Sequence, residues 1–137
     1  MLQASRSITV TTGGRGFIDI TGRVEEFVHE QSIETGLLTV FCRHTSASLL
    51  IQENADPDVL RDLETFFRKL VPEGDRYRHD DEGPDDMPGH IRSVLTQSSL
   101  SIPVMNGRPV LGTWQAIYLY EHRAHSHRRE IVLHLIG

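Results

Sequence analysis

Apolar and polar residues alternate through Ser7-Ile8-Thr9-Val10-Thr11-Thr12, the two-residue period of a strand with one wet face. Gly13-Gly14 supplies a turn before Phe17-Ile18-Asp19-Ile20, so the pattern predicts a hairpin. Thr21 is placed to cap a helix whose apolar positions Val24, Phe27 and Val28 follow the i, i+3, i+4 spacing, with Gly36 placed to end it. Residues 37–44 are rich in β-formers, and strand parity sets Leu38, Val40, Cys42 and His44 on one face. A second strand is expected over 48–53. Asp56 as N-cap and Pro57 at the first helical position then open the strongest helical pattern, with Val59, Leu60, Leu63, Phe66, Phe67, Leu70 and Val71 as its stripe. Pro72 and Gly74 close it.

Residues 77–90 break every period. They hold two histidines and five carboxylates, interrupted by Gly83, Pro84, Pro88 and Gly89, which neither a helix nor a strand accommodates at that spacing. A loop is expected, followed by a short helix from Pro88 through His90, Ile91, Val94 and Leu95. Asn106-Gly107 between residues 101–105 and 108–111 predicts a tight hairpin. Residues 116–121 form another strand. Residues 129–136 are apolar on both faces except at His134, so that strand is expected to be central or sandwiched. The order ββα–ββα–α–ββββ describes one α+β domain over residues 1–137, a mostly antiparallel sheet or sandwich with two to three helices.

Composition narrows the function classes. A chain of 137 residues fits a single domain. The net charge of −5 argues against a nucleic-acid binder, so phosphate recognition must be local. The single cysteine, Cys42, excludes an internal disulfide and fits a reducing cytoplasm. No run approaches the roughly 18 apolar residues of a membrane span. A soluble cytoplasmic protein is the expectation.

The candidate chemistry gathers in and around the acidic loop, which is either wet surface or the wall of a site. His79, Asp86 and His90 offer the imidazole and carboxylate donors that suit zinc, with water in an open position. His44 closes an otherwise apolar strand face, as a hydrogen-bonded core histidine or as part of a site. Glu121 shares a face with Ile117 and Leu119, and a carboxylate buried there needs a cation or a donor network. An inter-strand salt bridge meets that need equally well. Phosphate has two candidate receptors, the helix start at Asn54 and the pair Arg128 and Arg129. Trp114 and Gln115 can stack on and hydrogen-bond a heteroaromatic ring. Cys42 reads as core.

Four motifs carry a resemblance: His44-Thr45-Ser46-Ala47-Ser48, Glu53-Asn54-Ala55-Asp56-Pro57, residues 82–91 (Glu-Gly-Pro-Asp-Asp-Met-Pro-Gly-His-Ile), and residues 98–104 with Leu111-Gly112-Thr113-Trp114-Gln115. In that order they resemble the YjbQ-like family across nearly the whole chain. The resemblance implies an α+β domain assembled as a homotrimer. It also implies a weak thiamine-phosphate synthase activity, which joins a pyrimidine-methyl diphosphate to a thiazole phosphate. It implies a pocket lined by His44, His90, Glu82, Gly83, Trp114, Gln115 and Glu121; joined to the reading of the residues themselves, this makes His44, His90 and Glu121 the expected catalytic residues and Asn54, Glu82, Gly83, Trp114, Gln115, Arg128 and Arg129 the expected ligand contacts. By their donor types, and not by the resemblance, His44, His79, Asp86 and His90 would hold a divalent metal, zinc or magnesium. The alternative is a non-catalytic module that binds a metal or a small phosphorylated ligand, with no nucleic-acid or membrane partner in either case.

Overall fold

The computed structural model describes every residue from Met1 to Gly137. Its elements run β1 (Gln3–Thr11), β2 (Gly16–Asp19), α1 (Thr21–Glu30), β3 (Gly36–Cys42), β4 (Ala47–Glu53), α2 (Pro57–Leu70), α3 (Asp86–Leu95), β5 (Ser99–Met105), β6 (Arg108–Pro109), β7 (Gln115–Glu121) and β8 (Arg128–Ile136). The strands form two antiparallel sheets, one ordered β1-β8-β3-β5-β6 and the other β2-β7-β4. Leu38, Val40, Leu133 and Leu135 of the larger sheet share one apolar core with Leu49, Ile117 and Leu119 of the smaller one and with Val24, Phe27 and Val28 of α1. This is the α+β architecture that the hydrophobic periods predict.

The N-terminal hairpin does not form. β1 pairs with β8 and β2 with β7, so the two consecutive strands lie in different sheets. Gly14 (φ 112°) makes the crossing possible, because a side chain there would meet the Ala124 carbonyl oxygen at 2.9 Å. Thr21 opens α1, but its hydroxyl accepts the Ile117 amide at 2.8 Å instead of capping the helix. Gly36 begins β3, and the left-handed residue after α1 is Ser32. β8 is central as expected, yet only one of its faces is fully buried; Val132, His134 and Ile136 on the other are half-exposed.

Asp56 caps α2 by accepting the Asp58 amide at 2.9 Å, with Pro57 in the first turn. Its apolar stripe is nevertheless only half-buried: no residue from Pro57 to Leu70 is fully enclosed, Phe66 is 57% exposed, and Val71, just past the helix, is the one buried member. The helix lies over β7 of the smaller sheet, touching it through Phe67 at the edge of the Tyr120 ring and through Glu64. α3 starts at Asp86, two residues before Pro88. Proline is tolerated there because the first turn of a helix has amides without intrahelical partners. The Asn106-Gly107 hairpin forms as predicted, both residues at positive φ.

Candidate functional site

The early start of α3 makes the site. It puts Asp86 and His90 at i and i+4 on one helix face, where their side chains are neighbours. His90 Nδ1 lies 2.8 Å from the Thr45 carbonyl oxygen, which can only accept, so Nδ1 carries a hydrogen and Nε2 is the nitrogen left to face the site. That nitrogen aims at Asp86 Oδ2 at 3.1 Å. From the loop, His79 Nε2 reaches the same oxygen at 2.6 Å and Glu82 Oε2 at 3.0 Å. His79, Asp86 and His90 thus converge on one point, beside a cavity of about 260 Å³ walled by Tyr77, Met87 and Pro88. The hydrogen bond to Asp86 raises the His79 pKa above its ordinary value. Burial alone would raise that of Asp86, but the His79 bond and the charges of His90 and Arg123 outweigh it and hold the carboxyl low.

Arg123, from the β7–β8 connection, organises the loop. Its guanidinium donates to Asp85 Oδ2 at 2.9 Å and to the Glu82 carbonyl at 2.8 Å, and it lies 2.8 Å from Asp86 Oδ1. The Ala124 amide adds a bond to Asp85 at 2.7 Å. Both aspartates are buried. Burial opposes the charge of Asp85, yet the Arg123 and Ala124 donors hold its pKa below the ordinary value. Gly83 (φ 102°) turns the chain into this clamp, and a Cβ there would press on Asp85 Oδ1 at 3.1 Å.

Under α3 lies a layer of buried polar groups. Thr96 Oγ1 is 2.6 Å from Ser48 Oγ, which is 2.8 Å from His122 Nε2. His122 is fully enclosed, and its Nδ1 has no partner. Burial, then the charges of Arg92, Arg129 and Arg15, push its pKa down to about 3. Arg92 joins the helices by donating to Glu64 at 2.9 Å and to the Tyr120 hydroxyl at 3.1 Å.

Glu121 is saturated. It accepts from Thr12 Oγ1 at 2.7 Å, from Arg129 Nε at 2.8 Å and NH2 at 2.5 Å, and from the Arg123 amide at 3.2 Å. It forms the inter-strand salt bridge, and no oxygen is left to act on a ligand. Arg129 is consumed by the same pair and is 5% exposed, so it is not available to phosphate. Arg128 is exposed at the start of β8.

His44 stands apart from the metal-type cluster: its Nε2 accepts the Glu130 backbone amide at 2.7 Å. Asn54, Trp114 and Gln115 lie at the other end of the smaller sheet. Ala47 pairs with Glu121 and Glu53 with Gln115, six residues along, which at ~3.3 Å per residue puts the ends about 20 Å apart. Trp114 is 62% exposed, and Gln115 spends its side-chain oxygen on the Gly112 amide at 2.7 Å. The chain therefore brings together His79, Asp86, His90, Glu82 and Gly83, with His44 adjoining through Thr45, and separates them from Asn54, Trp114 and Gln115. Arg123, Asp85 and His122 were not assigned to the site from the sequence, where Asp85 reads as a solvated carboxylate of the acidic loop; the one available signal was that His122-Arg123 directly follows a strand ending in a carboxylate.

The sequence pattern of the family described as "UPF0047 protein YjbQ-like" matches residues 6–137. A UPF0047 protein of Synechocystis is 53% identical over 136 residues, covering 98% of this chain and 92% of the relative. The UPF0047 protein YjbQ of Salmonella typhimurium is 47% identical over 133 residues, 96% of each chain. A crystal structure from Clostridium acetobutylicum, described as an uncharacterized conserved protein of the yjbq/upf0047 family, superposes with a TM-score of 0.89 at 38% identity, covering 96% of this chain and 99% of that one.

Proposed function

Because the chain belongs to the YjbQ-like UPF0047 family, whose shared fold leaves the chemistry to be argued from the site, we propose that it is a divalent-metal enzyme acting on a small phosphorylated molecule. The observation that carries this reading is the convergence of His79 Nε2 and His90 Nε2 on a single buried oxygen of Asp86. Two imidazoles and a carboxylate suit zinc better than magnesium, which favours oxygen donors. In a tetrahedral zinc site the donors lie about 3.3 Å apart; the His90–Asp86 separation of 3.1 Å is near this, and His79 would withdraw from 2.6 Å by about 0.7 Å. The supports are those of a metal site: the Thr45 carbonyl fixes the His90 ring, and Arg123 fixes the second oxygen of Asp86.

When bound, the ion supplies Lewis acidity toward phosphate oxygens. The chain's own residues orient that centre and shield it, and they provide no thiolate nucleophile, since the one thiol, Cys42, is buried. Joining a pyrimidine-methyl diphosphate to a thiazole phosphate needs these elements: charge neutralisation of a diphosphate leaving group and no covalent intermediate on the protein. The family resemblance makes that reaction the first to assay. His90→Ala is expected to lower zinc affinity by at least about 100-fold and to abolish turnover, as read by zinc content after dialysis and by product formation. Full zinc retention in that variant sinks the reading. Zinc-replete wild-type protein without turnover on the two phosphates reduces it to a binding module.

Assembly belongs to the same proposal. Leu37 and Phe41 on β3 and Met105 on β5 are exposed on the face of the larger sheet turned from the core, and a homotrimer would cover such a face. Light scattering is expected to return three copies, and Phe41→Asp to shift the population toward monomer.

A further inference from the structure

A backbone amide can only donate. The 2.7 Å bond from the Glu130 amide to His44 Nε2 therefore makes that nitrogen an acceptor, and the proton of the neutral ring resides on Nδ1. This tautomer is opposite in purpose to that of His90. His90 gives its Nδ1 hydrogen to the Thr45 carbonyl and directs Nε2 at Asp86, whereas His44 takes a hydrogen from the protein and keeps its own to offer. No group of the chain accepts the His44 Nδ1 hydrogen.

His44 and His90 face a common cavity of about 390 Å³, with Ser93, Thr96 and Ser98 on its walls. No carboxylate lines it, in contrast with the cavity on the other side of the cluster, where Asp75 and Asp80 stand. The two sides of the cluster thus differ in charge, the loop side being acidic and the His44 side free of carboxylates. The loop side repels negative charge; on the His44 side the Ser93 and Thr96 hydroxyls donate to Ala47 and Ser48, which leaves the His44 ring and Ser98 as the uncommitted donors.

We propose that His44 is a fixed hydrogen-bond donor, its Nδ1–H presented to the cavity it shares with His90, and that this cavity receives an acceptor oxygen of the ligand: a carbonyl, carboxylate or phosphoryl oxygen. The proposal rests on the reading of His79, Asp86 and His90 as the functional centre. It gives His44 a role that excludes metal ligation, since Nε2 is occupied by the amide and Nδ1 by its hydrogen. It also excludes general-base action through Nε2. A donor held in place by the backbone needs no reorganisation when an oxygen with developing negative charge arrives, which is the condition under which such donors act most strongly.

The test has two arms. Nitrogen-15 NMR of the ring at neutral pH is expected to show His44 as the neutral Nδ1–H form; a proton on Nε2, or on both nitrogens, overturns the proposal. In the second arm, inorganic phosphate and acetate are titrated calorimetrically into zinc-loaded and zinc-free protein. His44→Ala and His44→Gln are expected to weaken binding about tenfold, the worth of one hydrogen bond, while His44→Asn, whose amide nitrogen falls near Nδ1, stays within about threefold of wild type. Equal binding in wild type and His44→Ala, or no binding of either probe, overturns it. Ser98→Ala serves as a second probe of the same wall should the His44 variants fold poorly. Zinc content separates the failures: protein that takes up no zinc defeats the proposed function, whereas protein that loads zinc but ignores His44→Ala defeats this inference alone.

Discussion

Arg123→Ala is expected to destabilise the protein by about 3–5 kcal/mol and to release the loop that carries His79. The guanidinium is the partner of two buried carboxylates, Asp85 and Asp86, and also holds the Glu82 carbonyl. Deleting one member of a buried ion pair costs more than the pair is worth, because the remaining charge is left without compensation. Here two adjacent carboxylates at the start of α3 lose their shared cation, Asp85 keeping only the Ala124 amide and Asp86 the two histidines, and their mutual repulsion adds to the loss. Urea denaturation reads the stability, and limited proteolysis within residues 75–84 reads the loop. Arg123→Lys should recover only part of the loss, since an ammonium does not match three acceptors at once. A wild-type denaturation midpoint in Arg123→Ala would show that the loop is held by something else.

Acid is expected to weaken the fold well above the range where carboxylates titrate, and His122 is the cause. In the unfolded chain this ring takes a proton near 6.5; in the fold, burial and the charges of Arg92, Arg129 and Arg15 delay that to about 3. The unfolded state therefore binds more protons throughout that window, and stability falls as pH drops. The contribution is fully present above 6.5 and is lost progressively down to about 3, on the order of 5 kcal/mol over the whole interval as an upper bound. Asp85, Asp86 and Glu121, whose folded pKa values lie below their ordinary ones, add a separate loss that sets in from about pH 4.5 downward. His122→Gln should flatten the upper part of the curve while leaving the lower part. Urea midpoints measured at a series of pH values decide it, and the same slope in both proteins between about pH 6 and 4.5 would acquit His122.

The elements governed by local chemistry were legible in the sequence. The Asp56-Pro57 start of α2 and the Asn106-Gly107 turn follow from side-chain and backbone preferences that act within a few residues. The sheets were not, because β1 and β2 are joined by four residues yet pair with strands about a hundred or more positions away. Strand parity assigns a face but not a partner. The site was half legible for the same reason. His79, Asp86 and His90 stand out by residue type, but their convergence depends on α3 beginning before Pro88, which a rule that starts helices at proline misses. Glu121 announced a need for a cation. That the cation is Arg129, eight residues on, was hidden by the reading of Arg129 as a phosphate contact. Asp85 looked like wet surface because its partner, Arg123, arrives from the far side of the fold.

β8 lies between β1 and β3 and supplies hydrogen bonds to both. During synthesis the chain must therefore carry β1 and β3 with bare edges until residues 128–136 leave the ribosome, and only then can the larger sheet close. Pairing Gln3 with Ile136 is about as non-local as a contact in 137 residues can be. Such topologies fold slowly and expose strand edges to neighbouring nascent chains in the interval. A stalled or truncated product ending before residue 128 is expected to recruit chaperones or aggregate, even though it already contains every residue of the histidine-aspartate cluster.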